Sequence, residues 1–351
     1  MTTILGIDLG KFKSVACLSD GETGEDRLET VRTDPDSFRE LLTRTAPALV
    51  LFETSTAAGW VHDLCRELGL PCRVVNPLGE AWQWKKVKRK TDRDDALKLV
   101  RLHRMNALPT AHMPPPEVRQ RRSLVAFRQR LIAERTAIRN HVRAVFQARG
   151  LALPPGHRAW SAAARAEWGG AYARPIGECS PAELWRGELH VDLALLEALE
   201  AQVAEVEKAL GALGAKDEGV GLLTTIPGVG IRTAEAVAAY LDDAGRFRSA
   251  REVSAYAGLV PRQFQSGEMD RKGGITKRGP APLRKLLVEC AWLMRRHNAW
   301  AAGVVDRISR GQKGRVESAV VALARKLLVR CWAMLRKGEP WRPPGVSPAA
   351  A

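Results

Sequence analysis

The chain has 351 residues, enough for two or three domains with substantial cores, and 55 Lys plus Arg against 39 Asp plus Glu give it a net charge of +16. That excess favours a polyanionic partner over small-molecule work. No apolar run approaches the roughly 20 residues that span a bilayer, no signal-peptide pattern opens the chain, and six cysteines without CxxC spacing read as reduced thiols of a cytoplasmic, nucleoid-associated protein.

Residues 1–109 alternate strand and helix patterns. Thr3-Ile4-Leu5-Gly6-Ile7-Asp8 is an apolar strand with an acid in its run, and Ser14 to Leu18 reads as a second strand paired through a tight turn. Asp34-Pro35 opens a helix to Arg44, Leu49 to Phe52 is a buried strand ending on Glu53, and Ala57 to Leu68 is a helix stopped by Gly69 and Pro71. Arg73-Val74-Val75 is a further short strand. This order predicts an α/β domain with a mixed sheet. Acids are depleted in strands, so Asp8 and Glu53 stand out as site positions.

Between residues 81 and 90 two tryptophans, Trp82 and Trp84, precede the cations Lys85, Lys86, Lys88, Arg89 and Lys90. A solvated charged loop is the plain reading. The functional one is a phosphate-gripping loop whose aromatics stack on unpaired bases. It leads into Lys90-Thr91-Asp92-Arg93-Asp94-Asp95-Ala96 at the head of an apolar-periodic helix. Thr91 with Asp94 three residues on forms a capping box. That leaves Asp92 and Asp95, at i and i+3, on one face of the first turn. Two carboxylates so placed repel unless a cation sits between them. With Asp8 and Glu53 they offer an all-oxygen set suited to Mg²⁺ or Mn²⁺, as phosphodiester chemistry requires.

Beyond Pro114-Pro115-Pro116, residues 117–149 form a long helix with eight arginines off its apolar stripe. Solvated face and nucleic-acid-tracking surface are both open readings. Residues 150–187 show no clear period and are expected to be an irregular connection. Leu196, Leu199, Val203, Val206, Leu210 and Leu213 then step as an a/d seam, pairing with the arginine-rich helix or with a second copy. Ile226-Pro227-Gly228-Val229-Gly230 opens an alanine-rich helix and resembles a helix-hairpin-helix, in which Gly228 and Gly230 present amides to a DNA phosphate. Residues 257–279 read as a glycine-broken loop crowded with Arg262, Lys277 and Arg278, a candidate phosphate pocket, before a helix from Pro282 to Arg296. A last apolar helix covers Ala319 to Leu335, and the tail beyond Pro340 reads as loose.

Taken in order, Gly6-Ile7-Asp8, Phe52-Glu53-Thr54, residues 90–96, the Pro227-Gly228 hairpin, Ala257-Gly258-Leu259-Val260-Pro261 and Ser266-Gly267 resemble the DEDD transposases of the insertion-sequence family IS110, relatives of the Piv invertase. The resemblance implies an RNase H-like (RuvC-like) N-terminal domain at 1–109, a helical coiled-coil connection at 110–215, and a mainly helical C-terminal transposase domain at 216–340. It implies a Mg²⁺-binding tetrad at Asp8, Glu53, Asp92 and Asp95, and a nucleophile at Ser266. Donor and target DNA, a structured noncoding guide RNA and a dimer or tetramer are the implied partners. Since Ser266 and the tetrad fall in different domains, the site is expected to assemble across domains or subunits. Gly279-Pro280 departs from the family's Gly-Asn. The rival readings are a RuvC-like nuclease that hydrolyses DNA with water, a kinase-like ATPase, which lacks a second phosphate loop here, and a non-catalytic nucleic-acid binder, which leaves the clustered acids unexplained.

Overall fold

A computed structural model of the protein describes residues 3–77, 91–266 and 269–343, which form two compact units, 1–117 and 118–351. The first unit is built on strands β1 (Thr3–Asp8), β2 (Lys13–Asp20), β3 (Asp26–Arg32), β4 (Leu49–Glu53), β5 (Cys72–Val75) and β6 (Thr110–Ala111). They form one mixed sheet in the order β3-β2-β1-β4-β5-β6. β1 and β2 run antiparallel, as do β2 and β3, whereas β4 is parallel to β1 and β5 to β4. This is the arrangement expected of an RNase H-like domain.

Helices α1 (Pro35–Thr45) and α2 (Ala58–Glu67) cover one face, where Leu5, Ile7 and Phe52 meet Phe38, Leu41 and Val61. Helix α3 (Asp92–Arg104) covers the other, its Leu99 and Leu102 against Leu51 and Val75, its Ala96 and Val100 against Val15 and Cys17. Strand alternation dictates the division: odd positions of β1 turn to α1 and α2, even positions to α3. Gly6 is where α3 comes closest, for a Cβ there would lie 2.8 Å from the Ala96 carbonyl oxygen.

The second unit opens with α4 (Pro116–Ala148), then α5 (Ala162–Tyr172) and α6 (Leu184–Gly214). Helices α4 and α6 pair antiparallel within the one chain: Arg128 Nε donates to Glu207 at 2.7 Å, Arg139 Nη2 to Glu200 at 2.6 Å, and His141 Nδ1 lies 2.6 Å from Asp192. Of the a/d seam, Leu196, Val203, Val206 and Leu210 are buried, Leu199 is half-buried and Leu213 is exposed. Contacts within the unit also account for part of the arginine-rich face. Arg121 bonds Asp217, Arg122 donates to the carbonyls of Ala239 and Tyr240, and Arg143 to that of Gly156. Arg121, Arg122, Arg128 and Arg139 thus brace the unit from within, while Arg130 and Arg143 are exposed.

Residues 150–187 are irregular only in part, since they hold α5 and the first turn of α6. Trp168 is buried edge-to-face against both Trp160 and Phe146 of α4, so aromatic packing orders a stretch without hydrophobic period. Helices α7 (Glu218–Thr224), α8 (Ile231–Leu241) and α9 (Ala250–Tyr256) follow, then a hairpin of β7 (Pro261–Ser266) and β8 (Met269–Ile275). Helices α10 (Ala281–His297), α11 (Ala299–Ser309) and α12 (Val316–Lys337) complete a core shared with the ends of α4 and α6. Trp341 rests on Trp300, with ring centroids 5.4 Å apart. All six cysteines are free thiols, and no helix of the described residues is long and apolar enough to cross a membrane.

Candidate active site

Register places two of the acids side by side. Ile7 pairs with Phe52 on parallel neighbours, so Asp8 and Glu53 occupy the next step at the carboxyl ends of β1 and β4. Alternation turns Asp8 with Gly6, and Glu53 with Leu51, to the face that α3 covers. At the far end of α3, Arg104 donates to Ser19 and to the Asp20 carbonyl and Asp26 carboxylate, the last two at 3.4 Å, beside the start of β1. The helix therefore runs antiparallel to β1, and its first turn lies at the Asp8 end of the strand. There Asp95 is buried, 8% exposed, and Asp92 is exposed. Asp94 does the capping: its amide donates to Thr91 Oγ1 at 3.3 Å while its carboxylate accepts the Thr91 hydroxyl at 2.7 Å.

The backbone thus brings Asp8, Glu53 and the two α3 acids to one edge of the sheet, and the donor set is all carboxylate, the type a hard divalent cation takes. No group of three or more His, Cys, Asp or Glu side chains among the described residues stands arranged to hold a metal ion. Trp82, Trp84, Lys85, Lys86, Lys88, Arg89 and Lys90 lie outside the described residues.

In the second unit, residues 261–275, read from sequence as loop, are mostly hairpin. Ser266 is the last residue of β7, paired with Met269, and Arg262, Lys277 and Arg278 are exposed. A clasp that escapes sequence reasoning closes the hairpin's base. Gly258, with φ +66°, and Gly279, with φ +90°, lie backbone to backbone. A Cβ on Gly279 would stand 1.8 Å from the Tyr256 carbonyl oxygen, and one on Gly258 2.0 Å from that of Arg278. The Lys277 amide donates to the Gly258 carbonyl at 3.1 Å, and Arg284 Nη1 to that of Ala257 at 3.1 Å. Paired glycines bracketing a basic segment were the available signal.

The turn between α7 and α8 holds Gly228, and Gly230 is the N-cap of α8. It is tied to α10 and α11: Cys290 Sγ donates to the Gly228 carbonyl at 3.4 Å, and Asn298 Nδ2 to that of Pro227 at 3.1 Å. Burial raises the Cys290 thiol to about 11, which keeps it the protonated donor.

Comparison with known proteins bears directly on these two units. A family model described as Transposase, of the DEDD kind of IS110, matches residues 5–149, and one described as Transposase IS116/IS110/IS902 family matches 220–306. A probable family 20 transposase of Pseudomonas aeruginosa is 32% identical, the match covering 82% of each chain. The chain belongs to the IS110 family of DEDD transposases. The transposase for insertion sequence element IS1328 of Yersinia enterocolitica is 28% identical over 92% of each chain. Among solved structures, T. thermophilus RuvC in complex with a Holliday junction substrate matches 32% of this transposase and 100% of that chain, at 19% identity and TM-score 0.23. Membership makes it an enzyme acting on DNA, a transposase or recombinase.

Proposed function

We propose that this transposase cuts and rejoins DNA through a serine ester, with Asp8, Glu53, Asp92 and Asp95 as its metal-holding acids and Ser266 as its nucleophile. The observation that carries the first half is the register of β1 and β4, with α3 returning its buried Asp95 to the same edge. Support for the second is the position of Ser266 as the last paired residue of a clasped hairpin that bears exposed cations.

Asp8, Glu53, Asp92 and Asp95 would hold Mg²⁺ or Mn²⁺, which when bound would supply Lewis-acid stabilisation of phosphoryl charge. Ser266 Oγ forms a bond to phosphorus as the bond from phosphorus to one sugar oxygen breaks, and the hydroxyl proton passes in net to that oxygen. A second DNA end reverses the exchange: its sugar hydroxyl attacks the phosphoserine, and Ser266 recovers its proton. The ester stores the energy of the broken strand, so rejoining needs no external source. Arg262, Lys277 and Arg278 neutralise phosphate beside the hairpin, and the α7–α8 turn at Gly228 and Gly230 holds a further backbone phosphate in helix-hairpin-helix fashion. Trp82, Trp84 and the cations Lys85, Lys86, Lys88, Arg89 and Lys90, which precede Asp92 in the sequence, are assigned to base and phosphate contacts. Donor and target DNA are the substrates, a structured noncoding RNA the guide, and the working form a dimer or tetramer.

Titration of DNA cleavage with Mg²⁺ tests the acid set. Wild type loses cleavage in excess chelator, and Asp8→Asn and Asp95→Asn each lose it at all Mg²⁺ concentrations. Full cleavage by either variant at ordinary Mg²⁺ contradicts the assignment.

A further inference from the structure

A cleft of about 500 Å³ opens between α9, α11 and α12, within the ~300–1,000 Å³ typical of ligand sites. Arg251, Arg307, Arg325, Lys326 and Arg330 line it, no carboxylate does, and among the described residues none of the five has an ion-pair partner. By contrast, Arg128 and Arg139 of α4 are matched to acids and Arg122 to backbone carbonyls. Five unmatched cations around one cleft repel one another, a cost recovered only when a polyanion arrives. The floor is apolar, with Val304, Val329 and the half-buried ring of Trp300. A phosphate alone would not need that floor, and an apolar peptide would not need those charges. The cleft also borders Val260, the residue before β7, so Ser266 lies about 20 Å further along the strand.

We propose that this cleft takes an unpaired nucleotide of a single strand, its base on Trp300 and its flanking phosphates on Arg307, Lys326 and Arg330. Cations spread over three helices follow a backbone that passes through, and an aromatic floor accepts any base by its π-face. The strand so held runs toward the β7–β8 hairpin, which fixes it one strand-length from the serine. The inference stands on the chain's membership of a DNA-acting family and does not require Ser266 to be the nucleophile.

The test uses the full chain with oligo(dT), oligo(rU) and a duplex, each of about 20 residues, in salt-dependent binding measurements. Single strands are expected to outbind duplex. Lys326→Gln with Arg330→Gln should flatten the slope of log K against log salt by about 1.4, the loss of two phosphate contacts. Trp300→Ala should weaken single-strand binding about tenfold, with Trp300→Phe restoring most of it. Both surface charges can be removed without touching the core, and unfolding curves confirm the tryptophan variants are folded. Preference for oligo(dT) assigns a DNA strand, preference for oligo(rU) an RNA strand, and equal binding a pocket that reads neither sugar. An unchanged slope in the double variant, or a duplex preference that Trp300→Ala leaves intact, overturns the proposal. Ser266→Ala keeps this binding whatever it does to strand exchange, so the two claims fail separately.

Discussion

Gly279→Ala should disconnect the hairpin from the body that carries it. At φ +90° an L-residue is strained by about 1–2 kcal/mol. The new Cβ would fall 1.8 Å from the Tyr256 carbonyl oxygen, so one of the two backbones must move. Overpacking of that kind costs about 1–3 kcal/mol. The shift also breaks the Lys277 amide's bond to Gly258, worth about 1 kcal/mol. The total is about 3–6 kcal/mol, a large part of the ~5–15 kcal/mol that holds a domain together. At ~2–4 °C per kcal/mol for a unit of this size, the melting temperature should fall by about 6 °C or more. Hydrogen exchange at the Thr276 and Lys277 amides should accelerate before that of α10 or α12. Strand transfer should be lost even well below the melting point. A variant that melts within about 1 °C of wild type and transfers strands normally would refute the clasp.

Gly6→Ala puts a Cβ 2.8 Å from the Ala96 carbonyl oxygen and 2.9 Å from Val100, so α3 must lift from β1. A loss of about 1–3 kcal/mol in urea unfolding is expected, with cleavage falling further than stability alone explains; unchanged stability would show that α3 does not lie there. Pro280 is the N-cap of α10 and provides no side-chain acceptor. Pro280→Asn should add about 1 kcal/mol by capping, and a lower melting temperature would mean the proline's rigidity matters more. Burial holds the Glu235 carboxyl above the usual range, against the opposing pull of Arg232. The folded state then binds the proton more tightly than the unfolded one, so stability falls as pH rises from the ordinary carboxylate value through the raised one. Glu235→Gln should flatten the urea-midpoint profile just above the ordinary carboxylate range; an identical profile would contradict the assignment.

Much of the first unit was legible because its signals are local. β1 and β4 are apolar runs ended by acids, and the Thr91–Asp94 cap reads directly from four residues. β3 was not legible, since an exposed edge strand reading Asp26-Arg27-Leu28-Glu29 carries the charges that keep edges from pairing. In the second unit the deciding partners are distant in sequence. Whether Arg128 and Arg139 face water depends on Glu207 and Glu200, more than sixty residues away, and no periodicity within α4 reports them. The hairpin was hidden because Gly273 and Gly274 interrupt β8 and its strands carry cations where alternation would show apolar residues. Of the candidate site, chain position revealed the four acids, and only register and helix direction showed that they share an edge.

In the proposed mechanism a serine holds the DNA while carboxylates support the exchange. Protein co-expressed with the RNA flanking its gene would be incubated with Mg²⁺ and labelled donor and target DNA, denatured, and resolved by gel before and after protease. Label retained on the protein until protease is added, and absent in both Ser266→Ala and Asp92→Asn, is the expected result. Free cleaved DNA without an adduct, undiminished in Ser266→Ala, would contradict it and leave a water-using nuclease in its place.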